Sequence, residues 1–265
     1  MSFARVRDLN IYYEEYGTGF PLVMIMGLDG NTSWWDPMLV RGLSEHFRVI
    51  IFDNRGVGKT GGTEGEYSIK MFANDTIGLM DALGIEKAHV FGLSMGGMVA
   101  QEIALNYPER VEKLVLVVTH PGGAEAVPPK PEIMDLITLD WREHEPEEII
   151  ELWLKALFTP EFVEKYPIVA KISKEKLMEN MITYEDHLKQ LKAIADFNAY
   201  ERLKNLKIPT LVIGAERDIL VPPENSVKIA KAIPNAKLAI VKDAGHGVIV
   251  EKREEVLKLV LDFLE

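Results

Sequence analysis

Six short, continuously apolar runs, at residues 22–26, 49–52, 89–93, 114–118, 210–213 and 238–241, punctuate this chain of 265 residues. Each is too short for a helix and is rich in Val, Ile and Leu, the pattern of a parallel strand buried on both faces. Amphipathic, helix-like segments lie between them at 69–83, 95–106, 224–233 and 248–264. Strand alternating with helix predicts an α/β fold with a mainly parallel central sheet flanked by helices. Ahead of the first run, residues 4–7 and 11–16 alternate apolar and polar side chains and read as an antiparallel pair turning at Leu9 and Asn10.

The alternation breaks once. Residues 121–200 carry no strand pattern, only a Pro-rich entry (Pro128, Pro129, Pro131) and several amphipathic helices. Trp141, Ile149, Trp153, Leu157, Phe162, Leu188 and Phe197 supply their apolar faces. A helical block of this size inside a strand–helix chain reads as a cap. The expected organisation is a core formed by residues 1–120 and 201–265, with residues 121–200 as the cap.

Charge and composition exclude several classes. Thirty Lys and Arg against 41 Asp and Glu leave a net charge of −11. Such a surface repels phosphate backbones and anionic lipid, so no nucleic-acid or membrane partner is expected. The chain has no cysteine, which removes thiol catalysis, disulfides and Cys-based zinc sites together. No His or carboxylate cluster has metal-ligand spacing. Gly56-Val57-Gly58-Lys59-Thr60 ends like a phosphate loop but lacks its glycine spacing. Neither a cofactor nor a metal is implied. The N-terminus has no apolar run of the roughly 7–15 residues a signal peptide needs, and the expectation is a soluble, cytoplasmic protein.

The chemistry concentrates at Gly92-Leu93-Ser94-Met95-Gly96, a G-x-S-x-G pattern between a strand and a helix. A serine there sits on a tight, strained turn, and glycines two residues away on either side let strand and helix approach. The helix N-terminus beside it favours developing negative charge. A serine nucleophile needs a base, and the base needs an orienting acid. Of the six histidines (His46, His89, His120, His144, His187, His246), only His246 stands between two glycines just past a strand. That is where α/β folds hold ligands. For the acid, Asp218 follows the preceding strand, with Glu216 and Asp243 as nearby rivals.

This constellation resembles the α/β-hydrolase superfamily, in its small, cap-bearing, carboxylesterase-like branch, over nearly the whole chain. The resemblance implies the triad order Ser94, Asp218, His246. It also implies an oxyanion hole from the Leu28 and Met95 amides, because Met26-Gly27-Leu28-Asp29-Gly30 matches the family's loop after the first core strand. Met26 stands where the family usually has histidine. Asp53-Asn54-Arg55-Gly56-Val57-Gly58 resembles the family's D-x-R-G-x-G turn, which makes Arg55 a structural ion-pair residue. With serine rather than aspartate at the elbow, acyl chemistry is implied, and the substrate is a small acyl compound.

The expected activity is ester hydrolysis through an acyl-enzyme on Ser94. Thioester, enol-lactone or C–C bond hydrolysis, perhydrolysis of the haloperoxidase type, and a triad-retaining ligand receptor are the alternatives. Asp29 and His120 at the predicted mouth, and Trp141, Trp153, Phe158, Phe162 and Met178 in the cap, are the candidate substrate contacts. Trp34 and Trp35 read as packing residues at the start of a helix. Oligomeric state is not legible.

Overall fold

The computed structural model of the chain describes residues 2–265. Eight strands form one sheet: β1 (Ser2–Val6), β2 (Leu9–Tyr16), β3 (Pro21–Ile25), β4 (Arg48–Phe52), β5 (Ala88–Leu93), β6 (Val111–Val117), β7 (Thr210–Ala215) and β8 (Lys237–Val241). Their order is β1-β2-β4-β3-β5-β6-β7-β8. The pairs β1–β2 and β2–β4 are antiparallel, and every later pair is parallel. Five helices pack against the sheet: α1 (Pro37–Ser44), α2 (Ile69–Ala82), α3 (Met95–Asn106) and, late in the chain, Glu224–Ala232 and Arg253–Leu264.

Alternation along each central strand feeds two cores. Val23 and Ile25 of β3, with Leu114 and Leu116 of β6, face α2 and α3, while Leu22 and Met24, with Val115 and Val117, face α1 and the C-terminal helix. Both faces are therefore buried, as continuous apolar runs require. The edge strand β8 departs from this, because Leu238 and Ile240 remain exposed. The first hairpin also turns earlier than expected. Arg7, at φ 52°, and Asp8 make the bend, and Leu9 is already the first, buried residue of β2.

Between β6 and β7 the chain forms α4 (Pro131–Ile137), α5 (Pro146–Leu157), α6 (Pro160–Lys165), α7 (Pro167–Glu179), α8 (Tyr184–Ala195) and α9 (Tyr200–Leu203). Proline begins four of them, α4 to α7, where its missing N–H costs nothing. The insertion closes at its base: Gly122 bridges Asn198, and Ala199 N–H donates to Pro121 O at 2.8 Å. Glu224–Ala232 is α10. The expected 248–264 helix is two, α11 (Val248–Glu251) and α12 (Arg253–Leu264), because Lys252 leaves helical geometry at φ −129°. No helix among the described residues is long and apolar enough to cross a membrane.

Arg55 ties the core together. Its guanidinium makes two 2.9 Å bonds to Asp75 on α2 and one of 3.0 Å to Asp8 in the first hairpin turn. A buried bidentate pair of this kind fixes the loop after β4 against α2 and the first hairpin turn.

Candidate active site

The loops after β3, β5, β6, β7 and β8 meet above the carboxyl ends of adjacent strands. Ser94 follows β5 at φ 53°, ψ −120°, a strained conformation for a residue with a Cβ, and caps α3 without using its side chain. A Cβ on Gly92 would lie 2.3 Å from Gly96 O, and one on Gly96 would lie 2.1 Å from Ile25 O. Glycine is therefore obligatory on both sides of the elbow. Ser94 N–H donates to Val117 O at 2.9 Å, and Thr119 Oγ1 donates to Ser94 O at 2.7 Å. The backbone is thus pinned while Oγ stays free of a capping bond.

His246 Nδ1 stands 2.7 Å from Asp218 Oδ2. A carboxylate only accepts, so the proton sits on Nδ1 and Nε2 is left as the acceptor. Asp218 is fixed in turn, because its Oδ1 accepts from Leu220 N (2.9 Å) and Val221 N (2.8 Å). The rivals are elsewhere. Glu216 and Asp243 are both exposed, and Glu216 Oε2 accepts from Asp243 N at 3.2 Å. The glycines flanking His246 serve packing: a Cβ on Gly247 would lie 2.4 Å from Phe158, and Gly247 N–H donates to Leu157 O at 2.7 Å.

Leu28 N–H and Met95 N–H donate to no protein acceptor among the described residues. Gly27 lies so close to Ser94 that a Cβ there would be 3.0 Å from the serine Cβ. Both amides therefore border the serine. Met26 packs beneath Gly30, and its carbonyl accepts from Asn54 Nδ2 at 3.1 Å, so the loop is held without the family's histidine.

A cavity of about 920 Å³ separates this site from the helical insertion, and Ser94, His246, Leu28, Asp29 and His120 all line it. Trp141 and Trp153 line it, but Phe158, Phe162 and Met178 do not. Phe158 packs over Gly247 and against Phe162 (ring centroids 5.4 Å apart), and Phe162 continues to Tyr166. On α7 the helical phase presents Leu177 to the cavity instead of its neighbour Met178. Trp34 also lines the cavity. It closes a short 3₁₀ turn (Thr32–Trp34), and α1 starts only after Asp36, which caps it. Trp35 is buried against Phe91, with ring centroids 5.6 Å apart.

His120 is neutral. Burial pulls its pKa down to about 4, and Nδ1 accepts from Gly122 N at 3.1 Å, which leaves the proton on Nε2. Three further residues shape the site without a sequence signal of their own. Gln101, on α3, donates to both Gly97 O and His120 O. Glu251 accepts from Thr159 N at 2.8 Å and from Gly245 N at 3.4 Å, which ties the insertion to the His246 loop, and burial raises its pKa. His187, on α8, approaches Asp29 Oδ2 through Nδ1 at 2.7 Å.

Residues 21–253 match the family model described as alpha/beta hydrolase fold. The provisionally named carbamate hydrolase RutD of Azorhizobium caulinodans is 28% identical, covering 99% of this chain and 98% of that one. A 2-hydroxy-6-oxononadienedioate/2-hydroxy-6-oxononatrienedioate hydrolase of Pseudomonas putida is 30% identical, with 99% and 96% covered. The enol-lactonase of Burkholderia xenovorans superposes with a TM-score of 0.88 at 27% identity, with 99% of each chain covered. The chain belongs to the α/β-hydrolase family, and it is a hydrolase built on that fold.

Proposed function

We propose that the protein cleaves carboxylic esters through an acyl-enzyme formed on Ser94. The observation that carries this is the convergence, in one cavity, of a serine on a strained elbow and a histidine held 2.7 Å from a buried aspartate. In this reading His246 Nε2 takes the Ser94 proton as Oγ bonds to the carbonyl carbon. The carbonyl π pair moves onto oxygen, where the Leu28 and Met95 amides receive it. One such donor typically contributes about 3 kcal/mol to the barrier. The tetrahedral adduct collapses, the C–O bond breaks, and His246 returns its proton to the leaving alcohol. Water, deprotonated by His246, then releases the acid and restores Ser94. Asp218 holds the imidazole tautomer and stabilises its cation.

The insertion acts as the cap, and its cavity face takes the acyl or alcohol chain. Trp141, Trp153, Leu157 and Leu177 make that face apolar. No arginine lines the cavity among the described residues, and the one lysine, Lys192, is paired with Asp196 at 2.7 Å. A neutral, modest aliphatic substrate fits this lining. The Pseudomonas putida relative's name favours a second reading, C–C bond hydrolysis, but a dienedioate would bring carboxylates to a cavity that offers them no free cation.

A chain-length series of p-nitrophenyl esters, run beside thioesters, lactones and a vinylogous ketoacid, tests this reading. Each buried methylene should raise kcat/KM about fourfold, from about 0.8 kcal/mol, until the cavity is full. Trp153→Ala and Leu177→Ala should move the optimum. A flat profile, or one these substitutions leave untouched, places the acyl site outside the cap. Faster turnover of the ketoacid would select the second reading.

A further inference from the structure

We propose that helix α8 of the insertion holds the oxyanion loop, with His187 and Gln190 as positioning residues for the Leu28 amide; this rests on the ester-hydrolase reading above. Residues Gly27 to Gly30 form a turn closed by Gly30 N–H on Gly27 O at 3.3 Å. Its third residue, Asp29, adopts φ 61°. Turns that need positive φ at this position normally use glycine, and an aspartate there is under strain. Relaxing it to negative φ would rotate the Leu28–Asp29 peptide and break the Gly30–Gly27 closure that holds Leu28, whose N–H lies one peptide earlier, in its place in the turn.

Two contacts from α8 oppose that relaxation. Gln190 Oε1 accepts from Asp29 N at 2.9 Å, and His187 Nδ1 donates to Asp29 Oδ2 at 2.7 Å. Both side chains are fully buried. They lie three residues apart, on one face of the helix. Behind them the clamp is anchored twice. Gln190 Nε2 donates to Arg55 O at 3.2 Å, and Arg55 is itself held by Asp75. The Trp141 ring stacks on His187 with centroids 4.1 Å apart, and its other surroundings include the cavity. The backbone and the side chain of one strained turn residue are thus both gripped by the insertion. When α8 is docked the oxyanion loop is set; when α8 departs, the loop loses its grip. The cap therefore completes the catalytic apparatus as well as covering it.

If these contacts merely fastened the insertion to the core, their loss would change stability or KM and leave transition-state binding intact. The test uses the full chain with His187→Leu, His187→Asn, Gln190→Leu and, in parallel, Ser94→Ala. For p-nitrophenyl butyrate, the two Leu variants should lose about 10- to 100-fold in kcat with little change in KM. Inhibition by an aliphatic trifluoromethyl ketone, whose serine adduct places an oxyanion in the hole, should weaken by the same factor as kcat/KM. His187→Asn, which keeps a donor near the Nδ1 position, should recover most of the loss. Unchanged kcat, or a kcat loss that ketone inhibition does not follow, overturns the proposal. Should the Leu variants fail to fold, Asp29→Ala keeps the strain at φ 61° and removes the carboxylate, and wild-type kcat there overturns the His187 contact's role. Retained activity in Ser94→Ala would instead sink the underlying ester-hydrolase reading, which separates the two failures.

Discussion

Two histidine–aspartate pairs each place one partner, His246 and Asp29, against the cavity, and their contact distance is the same. In each, imidazole Nδ1 stands 2.7 Å from a carboxylate Oδ2. Their exposures are inverted. The His246 side chain keeps 10% of its surface while Asp218 keeps none, whereas His187 keeps none and Asp29 keeps 12%. One pair hides its carboxylate, saturates it with two backbone amides and leaves the imidazole bordering the serine. The other hides its imidazole beneath Trp141 and uses the carboxylate to hold a strained turn. A His–Asp contact alone therefore says nothing about catalysis; what matters is which partner reaches the cavity.

The largest expected effect breaks the comparison at its carboxylates. Asp218→Asn should lower kcat by about 10⁴-fold, as loss of the tautomer-fixing acid does in triads generally, with an unchanged circular-dichroism spectrum. Asp29→Asn keeps an acceptor for His187 and tolerates positive φ, so its turnover should fall by less than about tenfold. Equal losses in the two variants would dissolve the distinction between the pairs. A smaller effect sharpens it at the imidazoles. Diethyl pyrocarbonate should modify His246 and abolish activity while His187 stays unmodified, read by peptide mass spectrometry. Labelling of His187 before His246 would show that the buried ring is accessible after all.

The smallest effect comes from a histidine with no acid partner. His89 lies buried in β5 between the rings of Phe20 and Phe47, and burial, aided by Lys113, lowers its pKa from 6.5 to about 4. Between those values the unfolded chain binds a proton that the folded protein excludes, so stability falls as pH drops through that window. From pH 7 to pH 5 the loss attributable to His89 is about 2 kcal/mol. His89→Phe should remove that part of the acid sensitivity in urea unfolding, and an unaltered pH dependence would mean that His89 is charged or exposed in the fold.

What was legible in the sequence follows from how local the constraint is. The elbow could be read because Gly92 and Gly96 answer to clashes within one strand–turn–helix unit. His246 could be read from its place past a strand, although its glycines turned out to serve the end of α5. Asp218 separates from Glu216 only in the turn after β7: two residues apart they would share a face in a strand, but Asp218 turns in to accept from Leu220 N and Val221 N while Glu216 stays exposed. The His187–Asp29 contact spans 158 residues and joins two segments with no shared pattern. The face that the insertion turns to the cavity was legible only in part, for a related reason. Apolar residues on α5 to α7 are common to cavity and internal core, and a one-residue rotation decides between Leu177 and Met178. Likewise, the exposure of Leu238 and Ile240 follows from β8's place at the sheet edge, which a run of apolar residues does not encode.

The central claim is that chemistry passes through a covalent bond to Ser94. The most direct measurement is rapid acid quenching of the protein during turnover of a slowly deacylating p-nitrophenyl ester, followed by peptide mass spectrometry. The expected result is a burst of one p-nitrophenol per chain and the mass of the acyl group on the peptide containing Ser94, with both lost in Ser94→Ala. Undiminished turnover in that variant, or an acyl group found on another residue, would contradict it.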